Sequence, residues 1–348
     1  MAVSATSEST TLNTTTPRED AIAVIFGACL IAGAMADGWA HVNIVDTLEG
    51  FFTPWHGLLY AGFTASAAWI FWLAYQRRDA SPIWWRDGWP AGYRLGALGV
   101  LLFLVGGLAD MMWHELLGVE VGLEATFSPS HIVLGVGAVL IVTSPLRSWW
   151  ASGGDGRRAA SGLASLALGP MAATILLIHS SAFETRAPVT RYVEDTGQAS
   201  GLDAPERLYA ITGVGSYVVT TLLVLIPVLL AYRSTRTAGA TTAVVAGVAL
   251  FNMVVYEFPT PQVLGALLAL VGAAVADATL LRLVRVDRWR LPVIGALAPA
   301  LVWSGHLLGL HLAEGLRWPP EMWTGVPVLT ALLGALLGVL AARPVPSS

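Results

Sequence analysis

The sequence has little charge and almost no cysteine, and both shortages exclude whole classes of protein. Only 12% of the 348 residues are charged, about half of the roughly 25% that is typical of soluble domains, so most of the chain cannot face water. The single cysteine, Cys29, excludes a disulfide framework and a cysteine-based zinc site. Lysine is absent and the arginines form no basic stripe, so nucleic acid is not an expected partner.

Long apolar stretches dominate what remains. A run of about 20 apolar residues is long enough to cross a bilayer as a helix. Ten such runs lie at residues 21–42, 55–75, 92–117, 130–150, 159–182, 208–232, 239–258, 261–281, 291–312 and 325–342. The predicted fold class is therefore an all-α, polytopic integral membrane helical bundle of about ten transmembrane helices, with the lipid bilayer as its first partner.

Three regions follow from this pattern. Residues 1–20 are polar and rich in serine and threonine, which predicts a disordered cytoplasmic tail. Residues 21–150 hold the first four predicted helices, and residues 151–348 hold the remaining six.

The placement of the arginines predicts how the chain is oriented across the membrane. Fifteen of the 19 arginines fall on one side of the predicted membrane, and four fall on the other: Arg186, Arg191, Arg207 and Arg317. Positive residues stay cytoplasmic, so we expect a multi-pass plasma membrane protein with cytoplasmic N- and C-termini. All seven histidines then lie at the outer ends of helices: His41, His56, His114, His131, His179, His306 and His311.

An internal repeat is the sharpest feature of the sequence. One copy runs from Asp37 to His56 and the other from Asp110 to His131, and both fit D-x3-H, a short loop, then L-E-x-x-F-[ST]-P-x-H. Asp and His at i and i+4 share one helix face, and a proline suits the first turn of the next helix. Each copy therefore predicts a helical hairpin that gathers one carboxylate and two imidazoles at one level.

This combination of side chains is typical of copper, iron or zinc sites. The predicted metal ligands are Asp37, His41, His56, Asp110, His114 and His131. Further candidates are Glu49, Glu124, His306 and His311, the glutamates either as ligands or as groups that orient a histidine. Glu115 and Glu120 are expected to be solvated, Asp277 is either ion-paired or a proton-handling group, and no catalytic residue is assigned.

The second copy resembles the C subunit of the copper membrane monooxygenases, the particulate methane and ammonia monooxygenase family. In that family an Asp-x3-His on one helix precedes a Phe-Thr-Pro-Ser-His segment that opens the next, and here Asp110 and His114 precede Phe127-Ser128-Pro129-Ser130-His131. The resemblance covers the two hairpin motifs only. It implies copper ligands at Asp110, His114 and His131 within the membrane, and a second, similar set at Asp37, His41 and His56.

Four functional hypotheses follow. The first is a copper-dependent, monooxygenase-like oxidoreductase subunit with its site near the outer membrane face, a small lipophilic substrate, and partner membrane subunits or a homo-oligomer. The second is a copper or other metal transport or assembly protein. The third is a haem-binding electron-transfer protein with histidine axial ligands, and the fourth is a scaffold whose polar caps only close hairpins.

Overall fold

The computed structural model describes residues 14–44, 50–120, 122–192, 205–234, 238–283 and 287–342, and within these ranges the chain is helical and contains no strand. This confirms the predicted all-α class. The helices are α1 (Pro17–Asn43), α2 (Pro54–Tyr75), α3 (Trp84–Asp87), α4 (Arg94–Leu117), α5 (Gly122–Phe127), α6 (Pro129–Val142), α7 (Ser144–Ala151), α8 (Ala159–Leu177), α9 (Pro205–Ser234), α10 (Ala240–Val255), α11 (Thr260–Leu283), α12 (Asp287–Glu314) and α13 (Pro320–Ala342).

Nine segments of the described chain are long and apolar enough to cross a membrane, with α6 and α7 together forming one of them. The seventh predicted span, over residues 239–258, is the one that is missing from these nine; it corresponds to α10, which has only 16 residues. At 1.5 Å per residue α10 is about 24 Å long, which is shorter than the hydrocarbon core of about 30 Å. Left-handed backbone bounds it, with Gly239 before it and Glu257 and Phe258 after it.

The chain divides into two compact units, residues 1–176 and 177–348. The first unit extends beyond the division expected after residue 150, because α8 packs on the preceding helices. The hydroxyl of Ser165 on α8 accepts from Leu146 N and donates to Val142 O. Helix α1 begins inside the segment expected to be a tail, where Thr16 and Glu19 form a capping box. Residues 1–13 of that predicted tail lie outside the described residues.

In the first unit, α1 with α2 and α4 with α6 form two antiparallel hairpins, and the repeat extends into their packing. Gly33 on α1 lies so close to α2 that an added Cβ would come within 2.6 Å of Leu59 Cα. Gly106 on α4 lies in the same way against α6, where an added Cβ would come within 2.9 Å of Leu134 N. Gly106 and Leu134 stand at the repeat offsets of 73 and 75 residues from Gly33 and Leu59.

A second pair of close contacts obeys the same offsets. An added Cβ on Gly62 would come within 2.6 Å of Leu30 Cα, and one on Gly137 would come within 2.7 Å of Phe103 N. Small residues at helix contacts let the backbones approach closely in a membrane. The two hairpins are therefore copies of one packed unit over most of their length, well beyond the motif that carries the histidines.

A buried polar network holds the opposite end of α1. The Asp20 carboxylate accepts hydrogen bonds from Thr15 and Tyr93 hydroxyls, both at 2.8 Å, and from the Ser148 hydroxyl at 3.2 Å. It also pairs with Arg158 Nη1 at 3.2 Å. Because the carboxylate is fully satisfied, the network serves to fix α1 against α4 and α7.

Asp277 of the second unit is a helix cap. Its carboxylate accepts from Thr242 N at 2.9 Å, from the Thr242 hydroxyl at 2.8 Å and from the Tyr232 hydroxyl at 2.7 Å. Thr242 lies in the first turn of α10, so a carboxylate supplied by α11 satisfies the orphan N–H groups of a neighbouring helix. Asp277 therefore serves as a helix cap, and its carboxylate has no ion pair among the residues whose side chains the structure describes.

Candidate metal centre

Four histidines from the two hairpins meet in the first unit. His41 lies in the last turn of α1 and His114 in the last turn of α4, while His56 and His131 lie in the first turns of α2 and α6. Ring centroids are 5.8 Å apart for His41 and His56, 5.9 Å for His41 and His114, and 5.6 Å for His56 and His114. His131 follows at 6.3 Å from His114. The two repeats therefore build one histidine cluster.

Helix caps place the two first-turn histidines. The hydroxyl of Thr53 accepts from His56 N at 3.1 Å, and the hydroxyl of Ser128 accepts from His131 N at 3.3 Å. Each cap is followed by a proline at the first helical position, where its missing N–H costs nothing. The hydroxyl-Pro-x-His sequence thus starts the second helix of each hairpin. It places the histidine of that helix beside the histidine at the end of the first helix.

Two groups of side chains in this cluster have ligand atoms within 4.8 Å of one another. One group contains His41, His56 and His114, and the other contains Asp110, His114, Glu120 and His131. The first group mixes residues of both hairpins, and His114 belongs to both groups. The two predicted ligand sets are therefore neighbours, and the two groups that the structure forms share His114, which was predicted for the second set alone.

The ring of His56 is fixed in one tautomer. Its Nδ1 lies 2.6 Å from Phe51 O, and a carbonyl oxygen can only accept, so Nδ1 carries the proton. Nε2 then holds the lone pair in the neutral ring, and it faces Asp37 Oδ1 at 3.5 Å. Two acceptors that face each other in this way call for a proton or a cation between them, and the Nδ1 hydrogen bond is the usual support of a metal-binding histidine.

His131 is held in a similar way by different partners. Its Nδ1 lies 2.9 Å from Ser128 Oγ and 3.2 Å from Glu120 Oε2, and its Nε2 lies 3.2 Å from Asp110 Oδ1. Burial raises the pKa of the Glu120 carboxyl, while the neighbouring His131 opposes that rise. Again Nδ1 points outward to a supporting group and Nε2 points inward to a carboxylate.

The two aspartates differ in their surroundings. The side chain of Asp110 is 2% exposed, accepts from the Ser130 hydroxyl at 3.2 Å and lies 3.6 Å from His114 Nε2. The side chain of Asp37 is 15% exposed. Trp55 occupies the position equivalent to Ser130 in the first hairpin, and it packs on Trp39 at 5.2 Å instead of bonding the carboxylate.

Several buried polar atoms of the cluster have no hydrogen-bond partner within the described part of the chain. They are both ring nitrogens of His41, both ring nitrogens of His114, Asp37 Oδ1 and Glu120 Oε2. An unsatisfied buried polar group costs about 1–3 kcal/mol, so six of them in one place call for a ligand, water or protons. A set of imidazole nitrogens and carboxylate oxygens suits a first-row transition metal, and the residues present therefore fit a metal.

Of the two additional glutamate candidates, the structure describes only Glu124, and it belongs to neither ligand group. Glu124 lies exposed on α5, and Glu49 lies outside the described residues. Glu120, expected to be solvated, contacts His131 instead. The only sequence signal for this role is that Glu120 lies in the loop that is two residues longer in the second copy than in the first.

His306 and His311 belong to the second unit and to neither ligand group. His306 is fully buried, its Nδ1 lies 2.9 Å from the Tyr217 hydroxyl, and Phe183 packs against its ring at 5.3 Å. His311 is exposed and accepts from Leu316 N at 3.4 Å. His306 is therefore a core residue of α12 held through Nδ1, with an Nε2 that has no hydrogen-bond partner among the described residues, and His311 caps the end of that helix.

Comparisons with protein-family models, with curated proteins and with solved structures find no match to this chain. The interpretation of the cluster therefore depends on its own geometry and on the motif resemblance.

Proposed function

We propose that this membrane-embedded helical protein holds a centre of two adjacent metal ions at the meeting point of its two repeated hairpins. His41 and His56 serve one site, Asp110, His131 and Glu120 serve the other, and His114 lies between them. The observation that carries the proposal is the convergence of four histidines, of which His41 and His114 have buried ring nitrogens without a hydrogen-bond partner among the described residues. Asp37, which faces Nε2 of His56, acts as a further ligand of the first site.

Copper is the metal that we propose, with iron and zinc as the alternatives. Imidazole-rich sites suit copper, and the motif resemblance implies copper at Asp110, His114 and His131. When bound, copper would supply one-electron redox chemistry and dioxygen activation, so the protein would act as a monooxygenase-like oxidoreductase subunit. The chain's own part is to present Nε2 of His56 and His131 inward, to balance the charge with Asp110, and to exclude water with the surrounding helices.

Metal content and optical absorption of the detergent-purified chain test this proposal. We expect about two copper equivalents per chain, because the ligand groups are two, and no Soret band. The double variant His114→Ala/His131→Ala should lose the metal, whereas His311→Ala, which removes an exposed histidine of the second unit, should keep it. A Soret band would favour the haem alternative, and the absence of bound metal after copper or zinc is added back would refute the ligand assignment.

We also propose that the cluster lies near the outer face of the plasma membrane, with cytoplasmic termini and with partner membrane subunits or a second copy. The arginine distribution supports this orientation. In a Cys29→Ser background, an impermeant maleimide added to whole cells should label Glu124→Cys on α5 and should label Ala80→Cys, in the loop after α2, only after permeabilisation. Both positions are exposed, so the reverse pattern would invert the topology.

A further inference from the structure

An apolar cavity of about 650 Å³ lies between α2 and α4, beside the histidine cluster. Pockets for small molecules span roughly 300–1,000 Å³, so this one has ligand size. Its described lining contains no Asp, Glu, Arg or Lys. A charged occupant would therefore lose its hydration without gaining a partner.

The mouth of the cavity faces the side of the helices. Leu104 and Leu108, in the middle of α4, are 47% and 52% exposed, and Phe52, beside the start of α2, is 85% exposed. In a chain of spanning helices, apolar side chains that are exposed at mid-span face lipid hydrocarbon. Entry to the cavity is thus sideways, from the bilayer.

The inner wall of the cavity belongs to the metal centre. His56 lines the cavity and is also a member of the three-histidine group, and its ring stacks on Phe51 at 4.7 Å. Tyr60, one turn further along α2, also lines the cavity, and its buried hydroxyl has no hydrogen-bond partner among the described residues. A molecule in the cavity would therefore touch an imidazole of the cluster.

The space exists because one position of the repeat lacks a side chain. Gly57 lines the cavity, and a Cβ added there would meet no atom within 4 Å. The equivalent residue of the second hairpin, 75 positions later, is Ile132. The cavity therefore depends on a position at which the two hairpins differ, although α4 of the second hairpin supplies part of its wall.

We propose that this cavity binds a small, uncharged, lipophilic molecule that enters from the bilayer and lies against His56. The apolar lining, the lateral mouth and the shared histidine support this class of occupant. Its conversion as a substrate rests on the proposed function, whereas binding does not. A free hydrocarbon and the acyl chain of a phospholipid share the required chemistry, and we commit to the free molecule because the cavity ends at the cluster.

A medium-chain alkane that carries a diazirine is a suitable probe. The protein is reconstituted in nanodiscs of one phospholipid, photolabelled, and mapped by peptide mass spectrometry. Labelling of the α4 segment around Leu104 and Leu108 should be saturable and should be displaced by the unlabelled alkane. Gly57→Leu should fill the cavity and weaken the labelling about tenfold, and Gly57→Ala should weaken it less.

Gly215→Leu on α9 is the matched control, because an added Cβ at this exposed helical glycine also meets no atom within 4 Å. It should leave labelling unchanged. Equal labelling of the wild type and Gly57→Leu would overturn the proposal. So would labelling of this segment by a diazirine on a phospholipid acyl chain that excess free alkane does not displace, since a lipid would then occupy the cavity.

Copper content separates the failure of this inference from the failure of the proposed function. Gly57→Leu should keep its metal, because a Cβ added there meets no atom within 4 Å outside the neighbouring residues and the Nδ1 hydrogen bond to Phe51 O still holds the His56 ring. Cavity labelling in a protein that binds no metal would sustain the lipophilic site and refute the metal centre. Bound metal without saturable labelling would do the opposite.

Discussion

The α1–α2 hairpin and the α4–α6 hairpin share their packing and differ in their chemistry. Both keep the close glycine contacts, the Asp-x3-His turn and the capped histidine that opens the second helix. In the second hairpin, the Ser130 hydroxyl donates to Asp110 and Glu120 contacts His131. In the first hairpin, Trp55 stands in place of that serine and Gly57 lines a cavity. A duplicated hairpin can therefore hold its backbone constant while one copy specialises in holding charge and the other in admitting an apolar molecule.

The largest effect on this comparison is expected at His114, the residue that the two ligand groups share. His114→Ala should release metal from both sites, because this imidazole belongs to both ligand groups. His41 belongs to one group, so His41→Ala should release metal from that site alone. Elemental analysis of the two purified variants measures the difference, and an equal loss in both would mean that His114 is not shared.

The aspartates come next. Asp110→Asn should weaken metal affinity by about 10–100-fold, which is the usual effect of losing a ligand's close support, because Asp110 is buried and contacts two histidines. Asp37→Asn should weaken it less, because Asp37 contacts one histidine and is more exposed. Chelator competition gives both dissociation constants. Equal values would remove the proposed division of labour between the hairpins.

Glycine replacements test the shared packing instead. Gly33→Ala and Gly106→Ala should each destabilise the first unit by about 1–3 kcal/mol, as overpacking does, because the added methyl group meets backbone atoms of the partner helix. Thermal unfolding in detergent should show a larger loss for Gly33, where the contact is closer. Gly57→Ala serves as the neutral control. A tolerated Gly106→Ala would show that the two hairpins pack differently.

The smallest expected effect is a pH dependence of stability that comes from the second unit. It has to be known before the stabilities of hairpin variants are compared at different pH values. Burial raises the pKa of the Glu184 carboxyl from 4.5 to about 7. The folded state therefore holds this proton more tightly than the unfolded state, so stability should fall as pH rises from about 4.5 to 7. Unfolding curves across this range should show the decline, and Glu184→Gln should flatten it. An unchanged slope in that variant would assign the dependence to other groups.

Local chemistry made much of the fold predictable. Apolar runs of bilayer length predict helices because a buried backbone must satisfy its own hydrogen bonds, and nine spans follow that expectation in the described chain. Helix α10 departs from it because left-handed residues end the helix before it reaches bilayer length. The capped starts at Thr53 and Ser128 were predictable because a cap involves residues only three positions apart.

The sequence alone determined the structure within each hairpin: its helices, the residues of its turn, and the position of its aspartate and histidines at the helix ends. Only the tertiary structure decided that both hairpins join in one cluster, that Glu120 enters it and Glu124 does not, and that Gly57 leaves a cavity beside His56. The physical reason is range. Helix periodicity and capping act over a few residues, whereas the approach of His41 to His114 depends on how the two hairpins pack together, with α1 on α6 and α2 on α4.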